Sequence, residues 1–168
     1  MADTSLALLF RSSLDIRIGL IAVALVWPAP LNGRAQDNYE FTWKSFPTGT
    51  TASLRGLAVA SGNSSSQSSL DELVLWACGS QGTVVRSLDG GRHWQDVSVA
   101  AFAELEFRSL HAFSEREVVV ASAGYPAVIM RTMDGGKSWQ MAHQVADKRA
   151  FFDALRFADS QQGLVVGD

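Results

Sequence analysis

The acidic side chains best placed for chemistry belong to two copies of one short motif. Ser87-Leu-Asp-Gly-Gly-Arg-His-Trp94 and Thr132-Met-Asp-Gly-Gly-Lys-Ser-Trp139 share the pattern Ser/Thr-x-Asp-Gly-Gly-x-x-Trp. A carboxylate can act as a general acid or as a nucleophile. In this pattern, however, Asp can accept hydrogen bonds from the backbone of its own turn, and the glycines can adopt positive φ. The motif therefore predicts a structural turn, and we predict no catalytic residue.

Four positions of each motif are expected to build that turn. The hydroxyl and the carboxylate tie down the backbone, the second glycine allows the chain to reverse, and the tryptophan packs between neighbouring sheets. These structural residues are Ser87, Asp89, Gly91 and Trp94 in the first copy, and Thr132, Asp134, Gly136 and Trp139 in the second.

Three charged residues lie at matching places at the start of successive repeats. Arg55, Arg108 and Asp153 each follow a large apolar residue. Arginines that converge on one face could bind an anionic peptide or ligand. The alternative is ordinary salt bridging between repeats, or simple solvation. The sequence leaves both interpretations open, and we take these residues as the candidate binding face.

Metal, thiol and nucleic-acid chemistry lack the residue patterns that they need. Cys78 is the only cysteine and lies in the apolar run 73–78, which predicts a buried thiol. The histidines His93, His111 and His143 show no metal-ligand spacing, so we predict neither a metal nor a cofactor. The net charge of −3, without a basic run, argues against a nucleic-acid partner.

The elements that position these residues are predicted to be short β-strands. The two motifs begin about 45 residues apart, and a gapless match extends upstream, where Leu73 faces Val118 and Gly79 faces Gly124. Segments rich in apolar and β-branched residues alternate with Gly, Ser and Asp. The predicted strands are 53–60, 72–78, 83–87, 94–99, 108–113, 118–122, 127–132 and 139–143.

Four strands in a repeat of about 45 residues predict the blade of a β-propeller. We predict an all-β fold with units at 53–98 and 108–143 and an incomplete unit at 152–168, which together make about two blades and part of a third. The segment 39–46 resembles the residues after each motif tryptophan, and is predicted to be the outer strand of a last blade. Because a propeller needs four to eight blades, we interpret the sequence as a fragment.

The two motifs fit the Asp-box pattern of bacterial neuraminidase (BNR) repeats. Over about 41–168, the chain most resembles the photosystem II stability/assembly factor-like propellers. The resemblance lies in the repeated order of inner strand, glycine-containing turn and Asp box. This repeated order is seen in the stretches Phe107-Arg-Ser-Leu and Phe157-Ala-Asp-Ser-Gln-Gln-Gly-Leu-Val-Val-Gly. The resemblance implies a non-catalytic assembly scaffold that binds a protein or a membrane complex.

Sialidases, which are glycoside hydrolases, also carry Asp boxes and are similar in fold. They bear an Arg-Ile-Pro motif, further arginines and a Tyr/Glu nucleophile pair. No Arg-Ile-Pro occurs here, and neither Tyr39 nor Tyr125 stands in a recognisable nucleophile pattern. A fragment of a BNR-repeat glycoside hydrolase remains the alternative, with its catalytic residues in absent blades or in carboxylates that spacing cannot identify.

The first 35 residues have the composition of a signal peptide. Arg11 and Arg17 precede the apolar stretch 18–26, which is too short to span a bilayer. Small residues at Gly33 and Ala35 predict cleavage before Gln36 and export to the periplasm or the medium. The alternative is an uncleaved anchor, the one case in which we expect membrane contact.

An incomplete propeller also predicts self-association. Unpaired strand edges are templates for pairing with another chain. We therefore expect the chain either to aggregate or to assemble with other copies through its open sheets.

Overall fold

The computed structural model describes residues 21–23, 43–60 and 70–167, and almost all of their regular structure is antiparallel β-sheet. Two one-turn 3₁₀ helices, at Leu70–Glu72 and Ala100–Phe102, are the helices in these ranges, and neither is long enough to cross a membrane. The strands are β1 Ile21–Val23, β2 Ser45–Pro47, β3 Leu54–Val59, β4 Leu75–Gly79, β5 Val84–Ser87, β6 Gln95–Asp96, β7 Glu106–Ala112, β8 Val118–Ala123, β9 Ala127–Thr132, β10 Gln140–Val145, β11 Phe152–Phe157 and β12 Gly163–Gly167.

Strands β3 to β12 form two four-stranded sheets and one two-stranded sheet that repeat the same order, and β1 and β2 form a separate two-stranded sheet. The first blade is β3-β4-β5-β6, the second blade is β7-β8-β9-β10, and the third unit is β11-β12. Every neighbouring pair is antiparallel and consecutive along the chain. The predicted all-β, partial propeller with four-stranded blades is confirmed.

Strand β8 shows why the sheets stack. Its side chains alternate between the two faces of the sheet, as in any strand. Val118 and Val120 lie in the core shared with the first blade, whereas Val119 and Ala121 pack towards the third unit. Because both faces are covered, β8 is a continuous β-branched and small apolar run rather than an alternating one.

The main core lies between the first and second blades. Trp76 from β4 and Phe107 from β7 are fully buried there, and Val84, Val128 and Met130 complete the contact from the neighbouring strands. Burial of each such side chain contributes about 1.5–3 kcal/mol to folding. A smaller core joins the second blade to the third unit, with Val119, Ala121 and Leu155 at its centre.

The upstream part of the predicted repeat alignment is wrong by two residues. Ser87 pairs with Leu75, and the equivalent Thr132 pairs with Val118, so Leu75 rather than Leu73 matches Val118. The physical reason is the hairpin between the second and third strands of each blade. Counted between these paired positions, it is two residues longer in the second blade, where it contains Tyr125, so a gapless alignment cannot hold through it.

The predicted outer strand at 39–46 does not join a blade. Its described part lies in β2, which pairs with β1 through Ser45 and Val23. The third unit contains only its first two strands, so it offers no third strand to which an outer strand could add. The predicted signal peptide, 1–35, lies outside the described residues except for β1.

Candidate functional site

In the first Asp box, the hydroxyl and the carboxylate form hydrogen bonds with other residues of the same turn. The Ser87 hydroxyl donates to Asp89 Oδ1 at 2.8 Å and accepts from Gly91 N–H at 2.8 Å. Asp89 Oδ1 also accepts from His93 N–H at 2.9 Å, and Asp89 Oδ2 lies 2.5 Å from His93 Nδ1. Gly90 and Gly91 have φ of 69° and 92°, a conformation that favours glycine.

The second Asp box repeats the arrangement with different side chains. The Thr132 hydroxyl donates to Asp134 Oδ1 at 2.8 Å and accepts from Gly136 N–H at 2.9 Å. Ser138 takes the place of His93, with N–H to Asp134 Oδ1 at 2.9 Å and Oγ to Oδ2 at 2.6 Å. All of these acceptors and donors serve the turn itself.

The ionisation of both motif carboxylates is governed by these bonds. Hydrogen bonds from the His93 backbone and ring lower the pKa of Asp89. Hydrogen bonds from the Ser138 side chain and backbone lower the pKa of Asp134 from 3.8 to about 2. A general acid at neutral pH needs a raised carboxyl pKa, so both shifts have the wrong sign for that role.

The two motif tryptophans make different contacts. Trp139 packs against the main core and donates from Nε1 to the Val97 carbonyl oxygen of the first blade at 2.9 Å. Trp94 donates instead to Gly91 in its own Asp box, also at 2.9 Å. Trp139 therefore links two blades, whereas Trp94 closes its own turn.

The three candidate binding residues occupy equivalent β-bulges. The register of β3 on β4 shifts at Arg55, that of β7 on β8 shifts at Arg108, and that of β11 on β12 shifts at Asp153. A bulge inserts one unpaired residue and re-aims its side chain. The repeated bulge places all three residues on the inner strands, at the end of the blades opposite the Asp boxes.

The structure joins these residues through Glu106, which the sequence interpretation missed. Arg55 Nε lies 3.6 Å from Glu106 Oε1, Arg108 Nη2 lies 3.0 Å from the same oxygen, and Arg108 Nη1 lies 3.2 Å from Asp153 Oδ1. We call Arg55, Glu106, Arg108 and Asp153 the charged row. It crosses all three inner strands, and its formal charges cancel.

Arg108 is the centre of the charged row. Its guanidinium carbon lies 4.8 Å from the centroid of the Phe151 ring, and hydrogen bonds to Glu106 raise its pKa further. The row is partly exposed, with side-chain exposures between 28% and 49%. Glu106 lies two residues before Arg108 on β7, whereas the contacts of Glu106 with Arg55 and of Phe151 with Arg108 arise only when neighbouring units pack together.

Arg86 is a second arginine that sequence reasoning did not assign. It lies in a cleft between the first blade and the second Asp box, and its Nη1 donates to the Glu115 carbonyl oxygen at 2.9 Å. Its Nη2 donates to Gln95 Oε1 at 2.8 Å. Nη1 therefore links the first blade to the second, whereas Nη2 holds Arg86 to a neighbouring strand of its own blade.

The remaining chemical candidates lie apart from one another. Cys78 is buried, and that burial raises the pKa of its thiol to about 12. Within the described ranges, no three His, Cys, Asp or Glu side chains are grouped as metal ligands would be. Tyr125 is exposed in the hairpin of the second blade, and Tyr39 lies outside the described residues.

Comparison with known proteins identifies the same fold. The family model for the photosynthesis system II assembly factor YCF48 matches residues 66–148. The solved structure of YCF48 bound to D1 peptide has 19% sequence identity and a TM-score of 0.53, over 72% of this chain and 35% of that one. YCF48 from Cyanidioschyzon merolae has 22% identity and a TM-score of 0.56, over 74% of this chain and 37% of that one.

No curated protein matches the chain. The chain spans little more than a third of the length of each of the two solved propellers. The matched family model covers β4 to β10 with both Asp boxes, and the repeated sheets supply the architecture. The chain is therefore a partial β-propeller of the BNR type that resembles the photosystem II assembly factor YCF48.

Proposed function

We propose that the chain is part of an exported, non-catalytic propeller that binds a protein partner through the charged row, as an assembly factor does. The family resemblance supports a protein-binding role, and one similar structure holds a peptide. The observation that carries the proposal is the repeated bulge. It places Arg55, Arg108 and Asp153 at one end of three inner strands.

The pairing within the charged row defines the kind of partner. Arg108 already contacts Glu106 and Asp153, so a purely anionic ligand would have to displace carboxylates that the protein supplies. A protein segment with both acidic and basic side chains can exchange ion pairs with the row without a net charge cost. Such exchange favours specificity and orientation over raw affinity.

Tyr125 adds an aromatic side chain to this end of the molecule. The β8–β9 hairpin that carries it comes directly after Ala123, which pairs with Glu106 of the charged row. The Tyr125 side chain is 53% exposed. Tyrosine is enriched at protein interfaces because it combines an apolar ring with a polar hydroxyl.

The direct test is a binding titration with a fluorescently labelled D1 peptide, the ligand of the similar structure. Arg108→Glu places a third carboxylate beside Glu106 and Asp153. We expect at least a tenfold loss of affinity in fluorescence anisotropy, equivalent to about 1.4 kcal/mol.

The matched control is Arg116→Glu, because Arg116 is an exposed arginine in the turn between β7 and β8, at the Asp-box end of the second blade. It should leave the affinity unchanged, and circular dichroism should show that both variants are folded. Equal affinity of the Arg108 and Arg116 variants, or no binding by the wild-type chain, would contradict the proposed binding face.

The non-catalytic and exported parts of the proposal need separate measurements. Purified protein should release no product from a panel of glycosides and sialosides, and turnover would instead favour the hydrolase. N-terminal sequencing of the secreted protein should begin at Gln36. An N-terminus at Met1 in a membrane fraction would favour the uncleaved anchor.

A further inference from the structure

His111 lies at the contact between the second blade and the third unit. Its ring packs edge-on against Phe113, with centroids 4.7 Å apart, and lies 5.5 Å from the Phe157 ring on β11. The Phe157 backbone N–H donates to His111 Nδ1 at 3.4 Å. A histidine of β7 thus accepts a hydrogen bond from the first strand of the next unit.

This hydrogen bond requires a neutral imidazole. Nδ1 can accept a hydrogen bond from Phe157 N–H only when it carries no proton itself, so the ring proton lies on Nε2. In the imidazolium both ring nitrogens are donors. Protonation of His111 therefore replaces this hydrogen bond with a repulsive contact between the Nδ1–H and Phe157 N–H groups.

The charged groups around His111, at the contact between the second blade and the third unit, do not favour an imidazolium. Arg156 comes from β11, and Arg131, on the same face of β9, is held by Glu117. Asp159, in the β11–β12 turn, accepts from the backbone N–H groups of Gln161 and Gln162. Among the described residues, no carboxylate is hydrogen-bonded to His111. Burial, and then the charge of Arg156, lower the pKa of His111.

Besides the His111 contact, the third unit is held by polar contacts to β7 and by a small apolar core. Ser109 Oγ accepts from Leu155 N–H at 2.8 Å, and Arg108 pairs with Asp153 at the far end of β11. Its core with the second blade is much smaller than the core between the two blades. Segments with few buried apolar contacts open at a lower free energy than the rest of a domain.

We propose that His111 is a proton-sensitive latch, whose protonation at mildly acidic pH weakens the docking of β11–β12 on the second blade. The two blades stay packed, because His111 lies outside the core between them. A lowered pKa means that the docked state binds the proton less well than the undocked state. Docking is therefore strongest above about pH 6.5 and weakens as the pH falls below that value, until the docked form is itself protonated.

The latch has a consequence for binding that rests on the proposed function. Asp153 lies on β11, so release of this strand separates it from Arg108 and leaves that arginine with Glu106 alone. The charged row would then carry more positive potential in acid. Measurement of docking itself needs no partner, so the latch and the binding face can fail independently.

The test is hydrogen exchange followed by mass spectrometry at pH 7.5 and pH 5.0, with protection factors corrected for intrinsic exchange. In the wild-type chain, protection of 152–167 should fall by about threefold to tenfold at pH 5.0 relative to 106–145, as expected for one histidine. His111→Asn keeps an acceptor near the Nδ1 position but does not titrate. This variant should lose the pH dependence, whereas His143→Asn, at an exposed histidine of β10, should keep it.

A titration of the histidine rings by nitrogen NMR gives a readout that does not depend on the variants folding. His111 should be neutral with its proton on Nε2 at pH 7, and should titrate below the ordinary histidine pKa of about 6.5. An imidazolium at pH 7, or an equal loss of protection across both blades, would overturn the latch.

Discussion

At the scale of single residues, each Asp box is determined almost entirely by its own eight residues. The hydrogen bonds of its hydroxyl and carboxylate join positions no more than four residues apart, and its glycines adopt positive φ. Local contacts of this kind can be predicted from sequence, because residue type and spacing alone specify the donors and acceptors. Because these hydrogen-bond partners are close in sequence, each carboxylate stabilises its own turn.

Replacement of Asp134 by Asn tests the contribution of the carboxylate charge. The pKa of Asp134 is lowered from 3.8 to about 2 in the folded protein, so its contribution to stability is present above pH 3.8 and is lost as the pH falls through 2. We expect Asp134→Asn to lower Tm by a few degrees at pH 7, and this difference from wild type should disappear near pH 2. Calorimetry of both proteins, with Glu104→Gln as a surface control, measures this. A difference that persists unchanged to pH 2 would refute the assignment.

The glycine positions can be separated by a matched pair of substitutions. Gly136 has φ of +86°, and an added Cβ would lie 2.5 Å from Val97 Cβ, whereas Gly124 has φ of +94° and open space around it. Gly124→Ala should cost about 1–2 kcal/mol from the left-handed backbone alone. Gly136→Ala should cost about 1–3 kcal/mol more, from the clash with the first blade. Equal losses in urea unfolding would show that Gly136 is not in close contact with Val97.

At the scale of elements, the strands were predictable and their exact register was not. Alternation and β-branched content predict strands close to those observed, because these signals are local. The bulges at Arg55, Arg108 and Asp153 depend on pairing with a second strand, which single-strand patterns do not encode. The two-residue difference in hairpin length was missed for the same reason. Glu106, the shared partner in the charged row, also becomes visible only when the blades are stacked.

At the scale of elements, Trp139 also forms a hydrogen bond between the two blades. Its Nε1 donates to Val97 of the first blade, and phenylalanine would keep the ring but lose the donor. We expect Trp139→Phe to lower the free energy of unfolding by about 1 kcal/mol. Trp43→Phe is the control, because Trp43 is largely exposed. The same small effect from both substitutions in chemical denaturation would argue against the interblade bond.

At the scale of the whole molecule, the open face of the third unit predicts self-association. Leu164 and Val166 are 78% and 60% exposed, although the equivalent Val119 and Ala121 of the second blade are buried against the next sheet. Exposed apolar sheet faces promote association. The 168-residue chain should show concentration-dependent association in analytical ultracentrifugation, and Leu164→Lys should reduce it. Leu88→Lys, at an exposed Asp-box leucine, is the control. A wild-type chain that stays monomeric at all concentrations would contradict this prediction.

The whole-molecule scale is also where the sequence says least about function. Repeats and Asp boxes specify a propeller blade, but propellers carry many functions. Export, the lack of catalysis and the identity of the partner therefore remain proposals. Their support lies in the N-terminal composition, in the family resemblance and in the geometry of the charged row.

A hydrogen-exchange footprint of the bound peptide tests the binding face most directly. The chain would be compared with and without saturating D1 peptide at pH 7.5, where the third unit is docked. Protection is predicted at the start of β3, β7 and β11, around Arg55, Arg108 and Asp153, with no change at the two Asp boxes at the opposite end of the blades. Protection confined to the Asp boxes, or none anywhere, would contradict a binding propeller that acts through the charged row.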